Sequence, residues 1–266
     1  MPEQEKTLTE WFQDAVEIMA RLRAPGGCPW DREQSHESLK KYLIEESYEL
    51  LEAVDACDDK AIMEECGDVL LQVLFHADIA REEGRFDIAD VIECLCEKLI
   101  SRHPHVFGDV EADTAAEVLD RWEKLKRTEK PERTSILDGI PKDFPALMKA
   151  EKTQKRAAKV GFDWQKIDEV FDKFEEEWGE FRRAYTQEDP AQMEEEMGDL
   201  FFALVNVSRY VKVHPEEALQ KTNKKFNRRF RYIEEKLAAR NKTVNEATLE
   251  EMDALWDEAK LLEKKG

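Results

Sequence analysis

Apolar residues recur at three- and four-residue steps through almost the whole chain, and the two-residue alternation that marks strands is nearly absent. The pattern predicts an all-α protein. Helices are expected near 7–23, 36–56, 59–83, 87–102 and 114–128, and again near 145–159, 167–186, 190–212, 215–239 and 246–264. Asp58 or Asp59 and Asp87 stand where helix N-caps belong, and Thr114 and Glu117 have the spacing of a capping box. Asp189-Pro190 and His214-Pro215 put proline at a first helical position, where its missing N–H costs little.

The two runs of helices carry the same marks. Glu46, Glu49, Glu65 and Asp68 form E-x-x-E followed by E-x-x-D, and Glu177, Glu180, Glu196 and Asp199 repeat it 131 residues later with no change in spacing. L-I-E-E-S-Y-E-L-L-E-A lines up with F-E-E-E-W-G-E-F-R-R-A, and E-E-C-G-D-V-L-L with E-E-M-G-D-L-F-F. Such recurrence predicts a tandem repeat of two helical-bundle domains, 1–128 and 146–266. The linker between them, 129–145, holds three prolines and a glycine and so breaks helix repeatedly. A tryptophan-bearing loop precedes each first carboxylate helix, P-G-G-C-P-W-D at 25–31 and V-G-F-D-W at 160–164.

Charge narrows the function. Lys plus Arg number 41 against 61 Asp plus Glu, a net charge of −20, which repels nucleic acid and anionic membranes unless the positive residues cluster. An anionic substrate would then need metal ions. The N-terminus has no signal-peptide pattern and no apolar run reaches bilayer length, so a soluble, cytoplasmic protein is expected. The five cysteines show no zinc spacing and read as reduced thiols that mostly fill helix faces.

E-x-x-E on a helix is usually a solvated acidic face; position on the helix argues otherwise here. At 100° per residue Glu46 falls among Leu39, Tyr42, Leu43 and Leu50, and Asp68 shares a face with Leu71, Phe75 and Ile79. Glu177 sits between Phe174, Phe181 and Ala184, and Asp199 on a line with Phe202 and Asn206. Ionised acids on apolar faces must be protonated, paired or metal-bound. Two antiparallel helices would face E-x-x-E toward E-x-x-D, giving an oxygen-only site suited to Mg²⁺, with Mn²⁺ as a substitute.

Cations and aromatics recur as well. Lys225 and Arg229 are one turn apart, as are Lys98 and Arg102, and can contact phosphate or pair with neighbouring acids. Trp122 and Trp256 occupy matching last helices, as core residues or as stacking platforms for a base. Asn206, seven residues after Asp199, can hydrogen-bond a sugar hydroxyl or orient a ligand, whereas the first copy has Phe75 there.

The chain resembles MazG-type nucleoside triphosphate pyrophosphohydrolases in their two-domain form. The resemblance rests on G-C-P-W-D at 27–31, L-I-E-E-S-Y-E-L at 43–50, E-C-G-D at 65–68, S-R-H-P-H-V-F at 101–107, V-G-F-D-W at 160–164, E-E-E-M-G-D-L at 194–200 and K-F-N-R-R-F at 225–230, in that order. It implies an all-α pyrophosphatase fold, a homodimer, and Mg²⁺-dependent hydrolysis of nucleoside triphosphates to monophosphate and pyrophosphate. It further implies Glu177, Glu180, Glu196 and Asp199 as metal ligands, and Lys173, Lys225, Arg229 and Trp256 as substrate contacts, in a second domain that is the catalytic one. Glu180 is the weakly favoured general base, and Glu46, Glu49, Glu65, Asp68, Lys98 and Arg102 form a possible second site. With no evident base-edge reader, tolerance of several bases is expected. A nonenzymatic helical scaffold and another metal-dependent phosphohydrolase are the alternatives.

Overall fold

The computed structural model describes residues 6–111, 114, 117–118, 121–122, 125 and 134–264. The chain divides into two compact units, Met1–Glu129 and Lys130–Gly266. Unit 1 contains α1 (Leu8–Arg23), α2 (Pro29–Glu33), α3 (Lys40–Ala56), α4 (Asp59–Glu82), α5 (Ile88–Arg102) and α6 (Pro104–Phe107). Unit 2 contains α7 (Ala146–Ala158), α8 (Ile167–Thr186), α9 (Pro190–Tyr210), α10 (Pro215–Ala238), a 3-10 turn (Val244–Glu246) and α11 (Leu249–Glu263). Every regular element among the described residues is helical.

Local chemistry explains where the helices start. Asp58 accepts hydrogen bonds from the N–H groups of Lys60 and Ala61 at 3.0 and 3.2 Å, and Asp189 does the same for Ala191 and Gln192. Asp87 and Asp90 cap α5 reciprocally. The expected helix over 114–128 falls largely outside the described residues; within them, Glu117 N–H donates to Thr114 Oγ1 at 3.3 Å. Three boundaries differ from expectation. The helix expected from 36 starts at Lys40, α2 and α6 are short extra turns opened by Pro29 and Pro104, and the stretch expected from 246 divides into the 3-10 turn and α11. Thr248, capped reciprocally with Glu251, starts α11 afresh.

Each unit is organised around a helical hairpin, α3–α4 and α8–α9, whose helices pack along their length. The corners match: Cys57 and Glu188 are both left-handed, with φ of 53° and 54°, each followed by its capping aspartate. The buried register matches too. Leu39, Ala53 and Leu74 are buried in unit 1, and Val170, Ala184 and Val205, each 131 residues further on, are buried in unit 2. The two alanines keep the helices of each hairpin close. Met19, Leu39, Leu74, Phe75 and Ile79 form the unit 1 core, and Ile233, Leu237 and Leu255 join α10 to α11. Burial of each large apolar side chain contributes about 1.5–3 kcal/mol.

The cysteines do not fill the core. All five are free thiols, and Cys57, Cys66, Cys94 and Cys96 are exposed. No described helix is long and apolar enough to cross a membrane.

Candidate metal and nucleotide site

The hairpins bring the acids together, three at a time. In unit 2 an oxygen of Glu177 from α8 and oxygens of Glu196 and Asp199 from α9 all lie within 4.8 Å of one another. Glu180, the expected fourth ligand, instead accepts a hydrogen bond from Arg183 at 2.9 Å. In unit 1 the three are Glu46, Glu49 and Glu65, and it is Asp68 that stays outside the group. Burial is less even than the helical wheel implies: Glu177 is buried, Glu46, Glu65, Glu196 and Asp68 are half-buried, and Glu49 and Asp199 are exposed. The helix face around Asp199 opens onto a cavity instead of packing against a neighbour.

The two triads differ electrostatically. Lys173, one turn before Glu177, places its Nζ 2.7 Å from Glu177 and 3.1 Å from Glu176. Among the described residues no cation pairs with Glu46, Glu49 or Glu65. Burial and then the repulsion of Asp68, Glu49 and Glu65 push the Glu46 carboxyl up, and Glu65 is raised by burial and by Glu49, Asp68 and Glu64. The Oε2 atom of Glu65 is buried without a hydrogen bond. Both donor sets are carboxylate oxygens alone, which suits a hard divalent cation and excludes a zinc-type sulfur or nitrogen site at these positions.

A cavity of about 590 Å³ adjoins the unit 2 triad, with Glu177, Asp199, Lys173 and Asn206 on its wall. Its remaining lining is mostly apolar, supplied by Ile136 and Leu137 ahead of α7, by α7 itself, by the loop through Trp164, and by Val170, Phe202 and Ala203 of the hairpin. One ion-pair network fixes this wall. Arg209 pairs with both carboxylate oxygens of Asp163, and its Nε and Nη2 also donate to Asn206 Oδ1 at 3.0 and 2.7 Å. The Tyr210 hydroxyl shares its one proton between Asp163 and the Trp164 carbonyl. The Arg209 guanidinium, followed by the Tyr210 hydroxyl, holds the Asp163 carboxyl below the ordinary carboxylate range against the opposing effect of burial. Gly161, at φ +87°, turns the chain from α7 into this loop. Sequence reasoning singled out the loop but not the Asp163–Arg209 pair, whose members lie 46 residues apart.

Unit 1 fills the corresponding space. Tyr42 stands 131 residues before Lys173 and Phe75 stands 131 before Asn206. Trp30 packs edge-on against both, with ring centroids 5.6 and 6.2 Å away. The supporting ion pair is built differently. Asp78, an acid, occupies the place of Arg209 in the hairpin and pairs with Arg23, the last residue of α1, across 3.2 Å. Arg23 also donates to the Asp31 carbonyl at 2.5 Å and to Glu82 at 2.7 Å.

The second set of expected substrate contacts lies elsewhere within unit 2. Arg229 donates to Glu263 at 2.6 and 3.0 Å and lies 5.2 Å from the centroid of the Trp256 ring. Trp256 packs on the Ile233–Leu237–Leu255 cluster, and Lys225 is exposed. None of the three lines the cavity that contains Lys173 and Asn206. Unit 1 repeats the arrangement, with Arg102 5.7 Å from the Trp122 ring and Lys98 exposed. His103, beyond Arg102, uses Nδ1–H to hold the Leu99 carbonyl at 2.6 Å, a structural turn.

The sequence profile of the MazG nucleotide pyrophosphohydrolase domain matches twice, at residues 34–107 and 165–233, and each match spans one carboxylate hairpin. The chain belongs to the MazG family. It is 49% identical to the nucleoside triphosphate pyrophosphohydrolase/pyrophosphatase MazG of Thermotoga maritima, over 94% of this chain and 95% of that protein. It is 46% identical to the nucleoside triphosphate pyrophosphohydrolase of Escherichia coli K12, over 91% and 94%. The uncharacterized protein YabN of Bacillus subtilis is 50% identical over 99% of this chain, which matches 54% of that longer protein.

Proposed function

We propose that this MazG protein hydrolyses nucleoside triphosphates to the monophosphate and pyrophosphate, and that unit 2 carries the reaction. The observation that supports this most is the convergence of Glu177, Glu196 and Asp199 on the rim of a cavity that also holds Lys173 and Asn206. In this reading water attacks the α-phosphorus, the bond to the β-phosphate's bridging oxygen breaks, and pyrophosphate leaves. The three carboxylates would hold Mg²⁺, or Mn²⁺ in its place, and such an ion supplies charge neutralisation to the triphosphate and acidifies water in contact with it. Lys173 presents a cation to phosphate oxygens from one turn before Glu177. Glu180, outside the triad, is free to receive the proton of the attacking water if Arg183 swings away. The apolar cavity wall takes the nucleoside.

Lys225 and Arg229 are proposed to act on the substrate only from a second copy of the chain. Trp178, Tyr185 and Phe201 on the unit 2 hairpin are large, mainly apolar side chains with between about half and two-thirds of their surface exposed. A homodimer would cover them. Tolerance of several bases, a cytoplasmic location and a role in removing unwanted nucleotides or adjusting their pool complete the proposal. Unit 1, with Trp30, Tyr42 and Phe75 filling the nucleoside space, is proposed to support assembly and not turnover. The deciding experiment incubates the purified protein with each common NTP, with and without Mg²⁺, and resolves the products. Monophosphate plus pyrophosphate, only with Mg²⁺, is the expected result; diphosphate plus orthophosphate would refute the bond assignment.

A further inference from the structure

Gln154 of α7 is buried, at 7% exposure, in the wall of the unit 2 cavity. Its Nε2 donates to the Phe202 carbonyl at 2.8 Å, which fixes the orientation of the amide, because the reversed amide would set two acceptors against each other. The remaining atom, Oε1, is buried with no hydrogen-bond partner. An orphaned acceptor of this kind costs about 1–3 kcal/mol. Gln154 lines the cavity, so a ligand that enters it and displaces the wall slightly can supply the missing donor.

Asn206, one turn beyond Phe202 on α9, is pinned in the same manner. Both Arg209 donors demand its oxygen, so its Nδ2 is held as a donor at the same cavity. The wall therefore offers one fixed acceptor and one fixed donor, and neither amide can flip to suit a different ligand. Phe202 lies three residues past Asp199, about 4.5 Å along the helix axis, and Asn206 about 10.5 Å. With a triphosphate gathered at the acids, as in the pyrophosphohydrolase reading, this stretch of wall would face the nucleoside.

We propose that Gln154 is a specificity-determining substrate contact whose Oε1 accepts a hydrogen bond from a neutral donor on the nucleoside, either a base N–H or a sugar O–H. The assignment rests on the pyrophosphohydrolase reading of this cavity. It makes the pocket selective at one position while the apolar wall tolerates the rest of the base. Sites that hydrogen-bond a substrate donor reject analogues lacking it far more strongly than apolar pockets reject an added group.

The test compares parents with analogues that lack one donor. On the sugar, 2′-deoxy- and 3′-deoxy-ATP are set against ATP. On the base, purine riboside triphosphate is set against ATP and N3-methyl-UTP against UTP. For the wild-type protein with Mg²⁺, one arm is expected to raise KM by about five-fold or more, with kcat changed less. Gln154→Met should raise the KM of the parent to that of the analogue and abolish the difference between them. Which arm responds identifies the donor as base or sugar. The proposal is overturned if the wild type treats every analogue within about two-fold of its parent, or if Gln154→Met penalises parents and analogues equally, the mark of a purely structural residue. Should Gln154→Met not fold, Gln154→Ala takes its place, with the same expected loss of discrimination and the same overturning result. Absence of hydrolysis of every NTP would overturn the underlying reading as well, an outcome distinct from hydrolysis without discrimination.

Discussion

Lys173 Nζ lies 2.7 Å from Glu177 Oε1, so the buried acid of the unit 2 triad carries a cation of its own before any metal arrives. The hydrogen bond to Glu177, followed by that to Glu176, strengthens the hold of Lys173 on its proton, and it is charged throughout the physiological range. A divalent ion bound by the triad would compete with Lys173 for the same carboxylate and free it toward phosphate. Lys173→Met is expected to raise KM for NTP about ten-fold. It should also lower the Mg²⁺ concentration needed for half-maximal activity. Steady-state titrations of NTP and Mg²⁺ measure both; an unchanged KM would remove Lys173 from the phosphate subsite.

The contrast between the units predicts unequal responses to one substitution. Glu177→Gln should cut kcat/KM by about a hundred-fold or more, because it removes a charge from an oxygen-only donor set. Glu46→Gln, at the same place in unit 1, should leave turnover within about two-fold and raise stability, since it relieves repulsion among acids that pair with no cation among the described residues. Mg²⁺ is expected to raise the melting temperature of the wild type. Turnover lost in Glu46→Gln, in a protein still folded by circular dichroism, would move the active site or share it between the units.

Asp163→Asn tests the network behind the cavity wall. The Arg209 side chain is only 12% exposed and Asp163 is its ion-pair partner, so neutralising the acid leaves a largely buried guanidinium. Loss of a fully buried partner costs about 3–5 kcal/mol, and the partial exposure of this pair reduces the expectation to about 1–3 kcal/mol. Denaturant titration reads the cost. Because the folded carboxyl is held below its ordinary value of 3.8, its contribution is complete above that pH and disappears as pH falls through the lower folded value. The stability difference between wild type and variant should therefore shrink in acid. A constant difference would mean that the pair acts by packing alone.

Much of this architecture is legible in the sequence because it is local. Three- and four-residue spacing fixes the helices, aspartates cap them, and the 131-residue recurrence of the acids carries both hairpins with their left-handed corners at Cys57 and Glu188. What the sequence hides depends on partners distant along the chain or on side-chain choice. Glu180 turns to Arg183 because that cation is three residues away, which no periodicity of the acids reveals. Trp30 reaches Phe75 across 45 positions, so only the folded unit shows that the place of the cavity in unit 1 is filled. The orphaned oxygen of Gln154 is likewise a property of packing, and helical periodicity alone gives a glutamine no such role.

A histidine pair in unit 1 sets the last expectation. His36 and His76 stack with ring centroids 5.0 Å apart, and their Nδ1 atoms are 2.7 Å apart. Arg85 lies 2.5 Å from His36 Nε2, and its own counter-charge is Glu83 at 2.6 Å. Arginine can only donate, so His36 Nε2 accepts, its proton sits on Nδ1 and points at His76, and both rings are neutral in this arrangement. Burial, then the proximity of His36, lowers the proton affinity of His76 below its ordinary value of 6.5. With a lowered folded value, the contribution to stability is complete above pH 6.5 and is lost as pH falls through the folded value, where the unfolded chain binds the proton that the folded one resists. Melting temperatures between pH 8 and pH 5 should fall faster for the wild type than for His76→Phe, which keeps a ring to stack on His36 but cannot be protonated. Identical slopes would show that the Arg85–His36–His76 chain gives way without cost when His76 is charged.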